Sequence, residues 1–205
     1  MTTIVLVRHG RTAWNVVERF RGREDLPLDE AGRAQAERTA ERIARASKPV
    51  AVYSSPLVRA RATAQAIATR CGLSVRVHPG LVDIDYGRWQ GLTPEEAHRR
   101  DRRRARRWFR GSRGGRPPGG ESLSRVKRRC LRAVAEIAAR HPDATVVAVG
   151  HTVVNRAILL GALSMRSREF WHLRQEPCAI NVIETDGRRS VLASMNDTCH
   201  LEEPA

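Results

Sequence analysis

Cysteine is scarce and scattered in this chain. Cys71, Cys130, Cys178 and Cys199 stand far apart, and none belongs to a CxxC pair. That spacing argues against a zinc site or a disulfide framework and leaves four isolated reduced thiols. Long apolar runs are missing too: nothing approaches the ~20 residues that a membrane-spanning helix needs. The chain shows no basic leader ahead of a separate apolar segment and enters a strand almost at once. The expectation is a cytoplasmic protein with no membrane partner. No internal repeat is present. Lysine is nearly absent, with only Lys48 and Lys127, so arginine supplies almost all the positive charge.

Acidic residues are in the minority. Lysine and arginine number 37 against 22 aspartates and glutamates, a formal charge of +15. A field of that sign attracts phosphorylated metabolites, nucleic acid or acidic membranes. It sets the sign of the partner and not its identity. The length of 205 residues and the hydrophobic fraction of 41% suit one domain with a substantial core, or one domain carrying an inserted cap.

Hydrophobic patterning alternates strands and helices. Strands are predicted at Ile4–Val7, Val50–Tyr53, Val75–His78, Thr145–Val149, Ala179–Glu184 and Ser190–Met195. The first, second and fourth are near-continuous apolar runs, as in strands covered on both faces. Asp29 is placed to cap a helix running toward Ala46, and a second helix runs from about Leu57 to Cys71, with Gly72 suited to a left-handed exit. A third spans Leu123 to Arg140 and stops before Pro142. A fourth follows His151 through Leu160. This order predicts an α/β fold, a three-layer α/β/α sandwich with a mainly parallel central sheet.

The stretch 93–120 breaks the pattern. Thr93-Pro94-Glu95-Glu96 reads as a helix start, with a capping hydroxyl, proline at the first position and glutamate three residues after the cap. The helix then becomes strongly basic around Trp108 and Phe109, from Arg99 to Arg110. Gly111 to Gly120 is rich in glycine, proline and arginine and reads as a loop. Residues 93–120 are therefore expected to form a small helical lid inserted in a single domain spanning 1–205. The arginine cluster reads first as a solvated face of that lid, and Trp108 and Phe109 as residues packed beneath it.

Two histidines stand directly behind buried strands. Arg8-His9-Gly10 follows Ile4–Val7, and His151 follows Thr145–Gly150. Ligands of open α/β sheets collect beyond the carboxyl ends of strands. Phosphoryl transfer demands mostly positioning and charge stabilisation, and arginine grips two oxygens with a fork that stays protonated. A neutral imidazole can accept the phosphoryl group covalently, and the leaving oxygen needs a proton from a placed acid. Arg59 lies just past another strand, at the start of a helix whose N-terminus favours anions. Asp83 and Asp85 are both candidates for the acid. In an extended segment they share a face.

Leu6-Val7-Arg8-His9-Gly10-Arg11-Thr12-Ala13-Trp14-Asn15 resembles the opening motif of the histidine phosphatase superfamily, in its phosphoglycerate-mutase-like branch. The segments Phe20–Leu28, Ser54–Ala60 with Thr63-Ala64, Gly119–Ser122 and Val149-Gly150-His151 recur in the family's order. The resemblance covers nearly the whole chain. It implies that His9 is the phosphoryl acceptor, that Arg8, Arg59 and His151 complete the phosphate pocket, and that Asn15 adds a polar hydrogen bond nearby. It implies further that Arg21 and Gly22 line the substrate entrance. Asp83 falls where the family usually has its general-acid glutamate and is one methylene shorter. Arg21 stands where many members carry glutamine, which favours a substrate with a second anionic group. The activity so implied is a phosphomonoesterase of small phosphorylated metabolites, working without metal or cofactor through a phosphohistidine. A cofactor-dependent phosphoglycerate mutase using the same pocket is the alternative, and the chain's shortness favours the phosphatase. A non-catalytic polyanion- or RNA-binding protein is a third reading, set against an intact catalytic set, so nucleic acid is not expected as a partner. A homodimer is left open. His78, His98, His141 and His172 are read as surface or packing residues, and His200 as one that could approach a pocket.

Overall fold

A computed structural model describes residues 1–111, 115–186 and 189–202. Six strands form one mixed sheet: β1 Thr2–Arg8, β2 Ala51–Ser54, β3 Val75–Val77, β4 Thr145–Gly150, β5 Ile180–Thr185 and β6 Ser190–Asp197. Their order is β3-β2-β4-β1-β5-β6. The first four in that order run parallel, and β5 and β6 add antiparallel edges. No helix among the described residues is long and apolar enough to cross a membrane.

Alternation along the central strands sorts their side chains into two cores. Val5, Val7, Val52, Val147 and Val149 face α2 (Glu30–Ala46) and α3 (Val58–Arg70), meeting Ala40, Ile43, Ala60, Ala64 and Ile67. Ile4, Leu6, Tyr53, Val146 and Ala148 point the other way, onto α6 (Leu123–Arg140) and α7 (Thr152–Ala162). Strands buried on both faces need apolar residues at every position, and these have them. The result is the expected three-layer sandwich. Asp29 caps α2 by accepting from the Gly32 N–H at 2.7 Å, and Gly72 takes a φ of +67° just past α3.

One expected helix is two. The basic segment after Thr93 forms α4 (Pro94–Arg100) and α5 (Arg102–Phe109), divided at Asp101. Asp101 leaves helical geometry and its carboxylate accepts from the Arg104 N–H at 3.0 Å. A carboxylate that can cap a helix competes with continuing one. Ala105 and Trp108, one turn apart, are the buried side of α5, and its arginines face outward. Of the predicted loop 111–120, residues 112–114 lie outside the described residues. A one-turn helix unforeseen in the sequence, α1 (Ala13–Val16), follows β1.

Candidate active site

Strand register places the two histidines side by side. In the parallel pair β1–β4, Arg8 lies opposite Gly150. The next residue on each strand is a histidine, and the imidazole centroids are 5.2 Å apart. The adjacent pair β2–β4 sets Ser54 opposite Val149, so Ser55 arrives beside His151, and its Oγ lies 2.7 Å from His151 Nε2. Three parallel strand ends thus converge on one spot, as the topology of open sheets favours.

The loop behind β1 can turn there because two glycines meet. A Cβ on Gly10 would collide with the Gly32 carbonyl, and one on Gly32 with the Arg11 carbonyl. The Gly10 N–H donates to Thr63 Oγ1 at 3.1 Å, and the Thr63 hydroxyl donates to the Arg59 carbonyl at 3.0 Å. These bonds fix the first turn of α3 against the histidine loop.

His9 has a defined tautomer. Its Nδ1 lies 2.7 Å from the Gly10 carbonyl oxygen, which can only accept, so Nδ1 carries the proton. Its Nε2 keeps the lone pair and receives the Arg59 Nε–H at 3.3 Å. Burial, then Arg59, the competing imidazole of His151 and Arg8, hold His9 well below the usual histidine value. His151 is depressed well below it too, by burial first and then by Arg59 and Arg21. Both imidazoles are neutral at neutral pH, the state in which a ring nitrogen can act as a nucleophile or accept a proton.

Arg59 is fully buried and holds the floor together. Its guanidinium donates to the Gly22 and Glu24 carbonyls, both at 2.7 Å, and to Asp83 Oδ2 at 3.2 Å. Arg8 donates through Nη1 to the Gln175 carbonyl, while its Nε is buried without a partner. Burial, followed by the neighbouring charge of Arg21, lowers Arg8 to about 9. Asp83 is buried, accepts the Ile84 N–H at 2.9 Å, and its Oδ2 stands 3.8 Å from His151 Nδ1. Desolvation pushes its carboxyl up from the ordinary aspartate value, and Arg59 opposes that only in part.

An open cavity of about 610 Å³ sits above this floor. Arg8, Asn15, Arg21 and Asp83 line it, while His9, Arg59 and His151 lie beneath them, almost wholly buried. The lining holds six arginines against three carboxylates, so the mouth is cationic. Asn15 Oδ1 is committed to Thr12, accepting its N–H and its hydroxyl at 2.9 Å each, which leaves the amide NH2 for the cavity. Arg21 donates to the Trp14 carbonyl at 3.0 Å and its Nε is buried unpaired. Gly22 contributes its carbonyl to Arg59 and does not line the cavity.

Asp85 is turned away. Its Oδ1 accepts the Gly87 N–H at 2.7 Å, it faces Arg23 at 3.9 Å, and it does not line the cavity. The segment is irregular and pairs with no strand, so the alternation expected of an extended strand does not hold and the two aspartates part. His200 is also elsewhere, 3.0 Å from the Thr39 hydroxyl behind α2. His78, just past β3 at the edge of the sheet, pairs with Glu136, and His141 meets the Tyr53 hydroxyl; neither lines the cavity.

Several contributors escaped sequence reasoning. Arg129 of α6 donates to the carbonyls of Gly80, Val82 and Asp83 and to Glu121, and so splints the loop that carries Asp83. Glu121 belongs to a recognised motif, but its partner eight residues on carries no local signal. Gln175, which holds Arg8, is itself held by Asn181 at 2.7 Å. Arg156 and Thr152 line the cavity from α7, and their spacing of four behind His151 was readable as one helical face. Pro94 and Phe109, from the inserted helices, form part of the cavity wall. Trp108 packs beneath, edge-on to Tyr86, Trp89 and Trp171.

The arrangement can grip a phosphate from several sides, present a nitrogen lone pair to phosphorus and supply one buried carboxyl. Comparison with known proteins gives the family. A family model described as histidine phosphatase superfamily, branch 1, matches residues 4–198. Phosphoserine phosphatase 1 of Hydrogenobacter thermophilus is 36% identical over 203 residues, covering 99% of this chain and 96% of its own. The metal-independent phosphoserine phosphatase of Arabidopsis thaliana is 34% identical over 203 residues, covering 98% of this chain and 84% of its own. The solved structure of phosphoserine phosphatase from Entamoeba histolytica, in complex with 3-phosphoglyceric acid, superimposes with a TM-score of 0.89. It is 29% identical, and the match covers 98% of this chain and 100% of that one. With a model match spanning nearly its whole length and relatives of that identity and coverage, the chain belongs to branch 1 of the histidine phosphatase superfamily.

Proposed function

We propose that this phosphatase hydrolyses small phosphomonoesters without a metal, through a phosphohistidine on His9. The observation that carries the reading is the His9 ring itself: Nδ1 tied to a carbonyl, Nε2 unprotonated and facing Arg59 in a buried cationic floor. Such a nitrogen is a nucleophile aimed at the place an anion would occupy.

The substrate's phosphate enters past Arg8 and Arg21 and takes over the Arg59 contact that Asp83 now makes. Losing that cation and gaining an anionic neighbour raises the Asp83 pKa further, so the carboxyl enters the reaction protonated. His9 Nε2 forms a bond to phosphorus while the bond from phosphorus to the leaving oxygen breaks. Asp83 gives its proton to that oxygen. Arg8, Arg59 and His151 hold the equatorial oxygens of the transferring group, where charge stabilisation is worth most. Asp83, now a carboxylate, takes a proton from water as the water oxygen attacks phosphorus and the N–P bond breaks. Inorganic phosphate leaves, and both residues return to their starting states. α4 and α5 act as a lid, with Pro94 and Phe109 as its inner surface. O-phosphoserine and 3-phosphoglycerate are the first substrates to try, given the names and contents of the relatives.

The test is chemical trapping. Acid-labile, base-stable label from a 32P-phosphomonoester is expected on His9 in quenched samples, and His9→Ala is expected to lose activity on the order of 10⁴-fold or more. Turnover that survives in His9→Ala with no labelled intermediate would falsify the reading. Supplying 3-phosphoglycerate with a trace of 2,3-bisphosphoglycerate separates hydrolysis from mutase action, since a mutase returns the isomer in place of free phosphate.

A further inference from the structure

Most arginines at the cavity mouth are already engaged. Arg11 pairs with Asp29 at 2.8 Å, Arg19 with Glu96 at 3.3 Å and Arg174 with Glu176 at 3.7 Å. Arg156 is not. Among the described residues it has neither an ion pair nor a hydrogen bond, and its Nε is buried. It is held instead by aromatic faces, with its guanidinium carbon 5.3 Å from the Phe170 centroid and 5.8 Å from that of Trp171. Such stacking fixes the plane of the guanidinium and leaves its in-plane donors open. One helical turn earlier, Thr152 Oγ1 is likewise buried without a partner and lines the same cavity. Residues four apart on a helix share a face, so α7 presents both groups together.

Arg156 is half-buried, but leaving its buried Nε and the buried Thr152 hydroxyl without partners is costly, and an anion in the cavity would offset that cost. The phosphoryl floor already has its own cations in Arg8 and Arg59. We infer that Arg156 and Thr152 form a second anion subsite that receives the carboxylate of a phosphorylated carboxylic acid, with Arg156 as its specificity-determining residue. The inference rests on the phosphomonoesterase reading above and goes on to name the substrate class. A single planar guanidinium beside one neutral hydroxyl matches a flat monoanion with a bidentate pair and a third bond. Arg21, whose Nε is also buried and unpaired, borders the same cavity and adds to its positive potential.

The experiment compares O-phospho-L-serine with O-phosphoethanolamine, which keeps the phosphate and the ammonium but lacks the carboxylate. p-Nitrophenyl phosphate serves as a third substrate that tests the phosphoryl chemistry alone. Wild type is expected to prefer phosphoserine in kcat/KM. In Arg156→Gln that preference is expected to shrink by about 10- to 100-fold, mainly through a higher KM for phosphoserine. Arg156→Lys, which keeps charge but not the fork, is expected to restore part of it. Thr152→Val, which preserves shape, is expected to erode the preference in the same direction and by less, and it reads the subsite even if Arg156→Gln folds poorly. Equal losses on both substrates, or a wild type that does not discriminate between them while hydrolysing p-nitrophenyl phosphate, would overturn the subsite and leave the His9 chemistry standing. No hydrolysis of any of the three by wild type would bring down both.

Discussion

A buried carboxyl group set among an arginine and two histidines ties the pH behaviour of this enzyme to single side chains. His9 and His151 are depressed well below 6.5, and Asp83 is raised above 3.8, each chiefly by burial. In the proposed mechanism His9 acts in its neutral form, so activity is expected to be lost as pH falls through its depressed value. In the same mechanism Asp83 enters protonated, so the rate on a poor leaving group is expected to decline as pH rises through its raised value. Asp83→Asn is expected to slow hydrolysis of an alkyl phosphate by about 10²- to 10⁴-fold and to remove the alkaline limb. With p-nitrophenyl phosphate, whose leaving group needs no proton, the same variant is expected to release a burst equal to the enzyme and then stall at the phosphohistidine. Stopped-flow absorbance across pH checks both, and steady linear turnover at the wild-type rate would remove Asp83 from its role. The placement of these residues was largely legible in advance. His9, Arg8, Arg59, His151 and Asp83 all converge, because each sits beside a recognisable strand end or motif. The choice between Asp83 and Asp85 was not legible, since it depends on an irregular segment in which Asp83 meets Arg59 while Asp85 is held by the Gly87 N–H and faces Arg23.

Among the elements, the junction of β1 with α2 depends on an absent side chain. Alanine at position 32 would gain up to about 1 kcal/mol in helix propensity. The added methyl would strike the Arg11 carbonyl, which is backbone and cannot rotate aside, and overpacking of that sort costs about 1–3 kcal/mol. The second effect wins. Gly32→Ala is expected to lower the urea midpoint and, by pushing the loop that carries His9, to lower kcat as well. A variant as stable and as active as wild type would show that the loop can shift freely. The division of α4 from α5 is the other lesson at this scale. The basic run from Arg99 to Arg110 has continuous helical propensity, and the break comes from Asp101 capping the second helix and from Ala105 and Trp108 having to face the aromatic cluster.

For the molecule as a whole, the surplus of +15 and the cationic mouth act together. Anionic substrates are drawn in from several ångströms, and salt screens that attraction over a Debye length. A roughly tenfold rise in ionic strength from low salt is expected to lower kcat/KM for a dianionic phosphomonoester several-fold, mostly through KM, with kcat little changed. Kinetics over a sodium chloride series measure this, and a flat response would confine the arginines' influence to direct contact. Buried Arg59 is screened far less than the outward arginines of α5, so what salt removes is steering and not the floor's grip on phosphate.

The sequence by itself determined the layering, the strand ends and the identity of the groups at them, because apolar periodicity and short motifs are local and burial enforces them. Tertiary structure alone decided which side chains face the cavity. The register of β1 against β4 set the imidazoles 5.2 Å apart. A splint from Arg129 fixed the acid's loop, and Phe170 and Trp171 stacked on Arg156. Those outcomes join residues far apart in the chain, and no window of neighbouring residues contains the distances that create them.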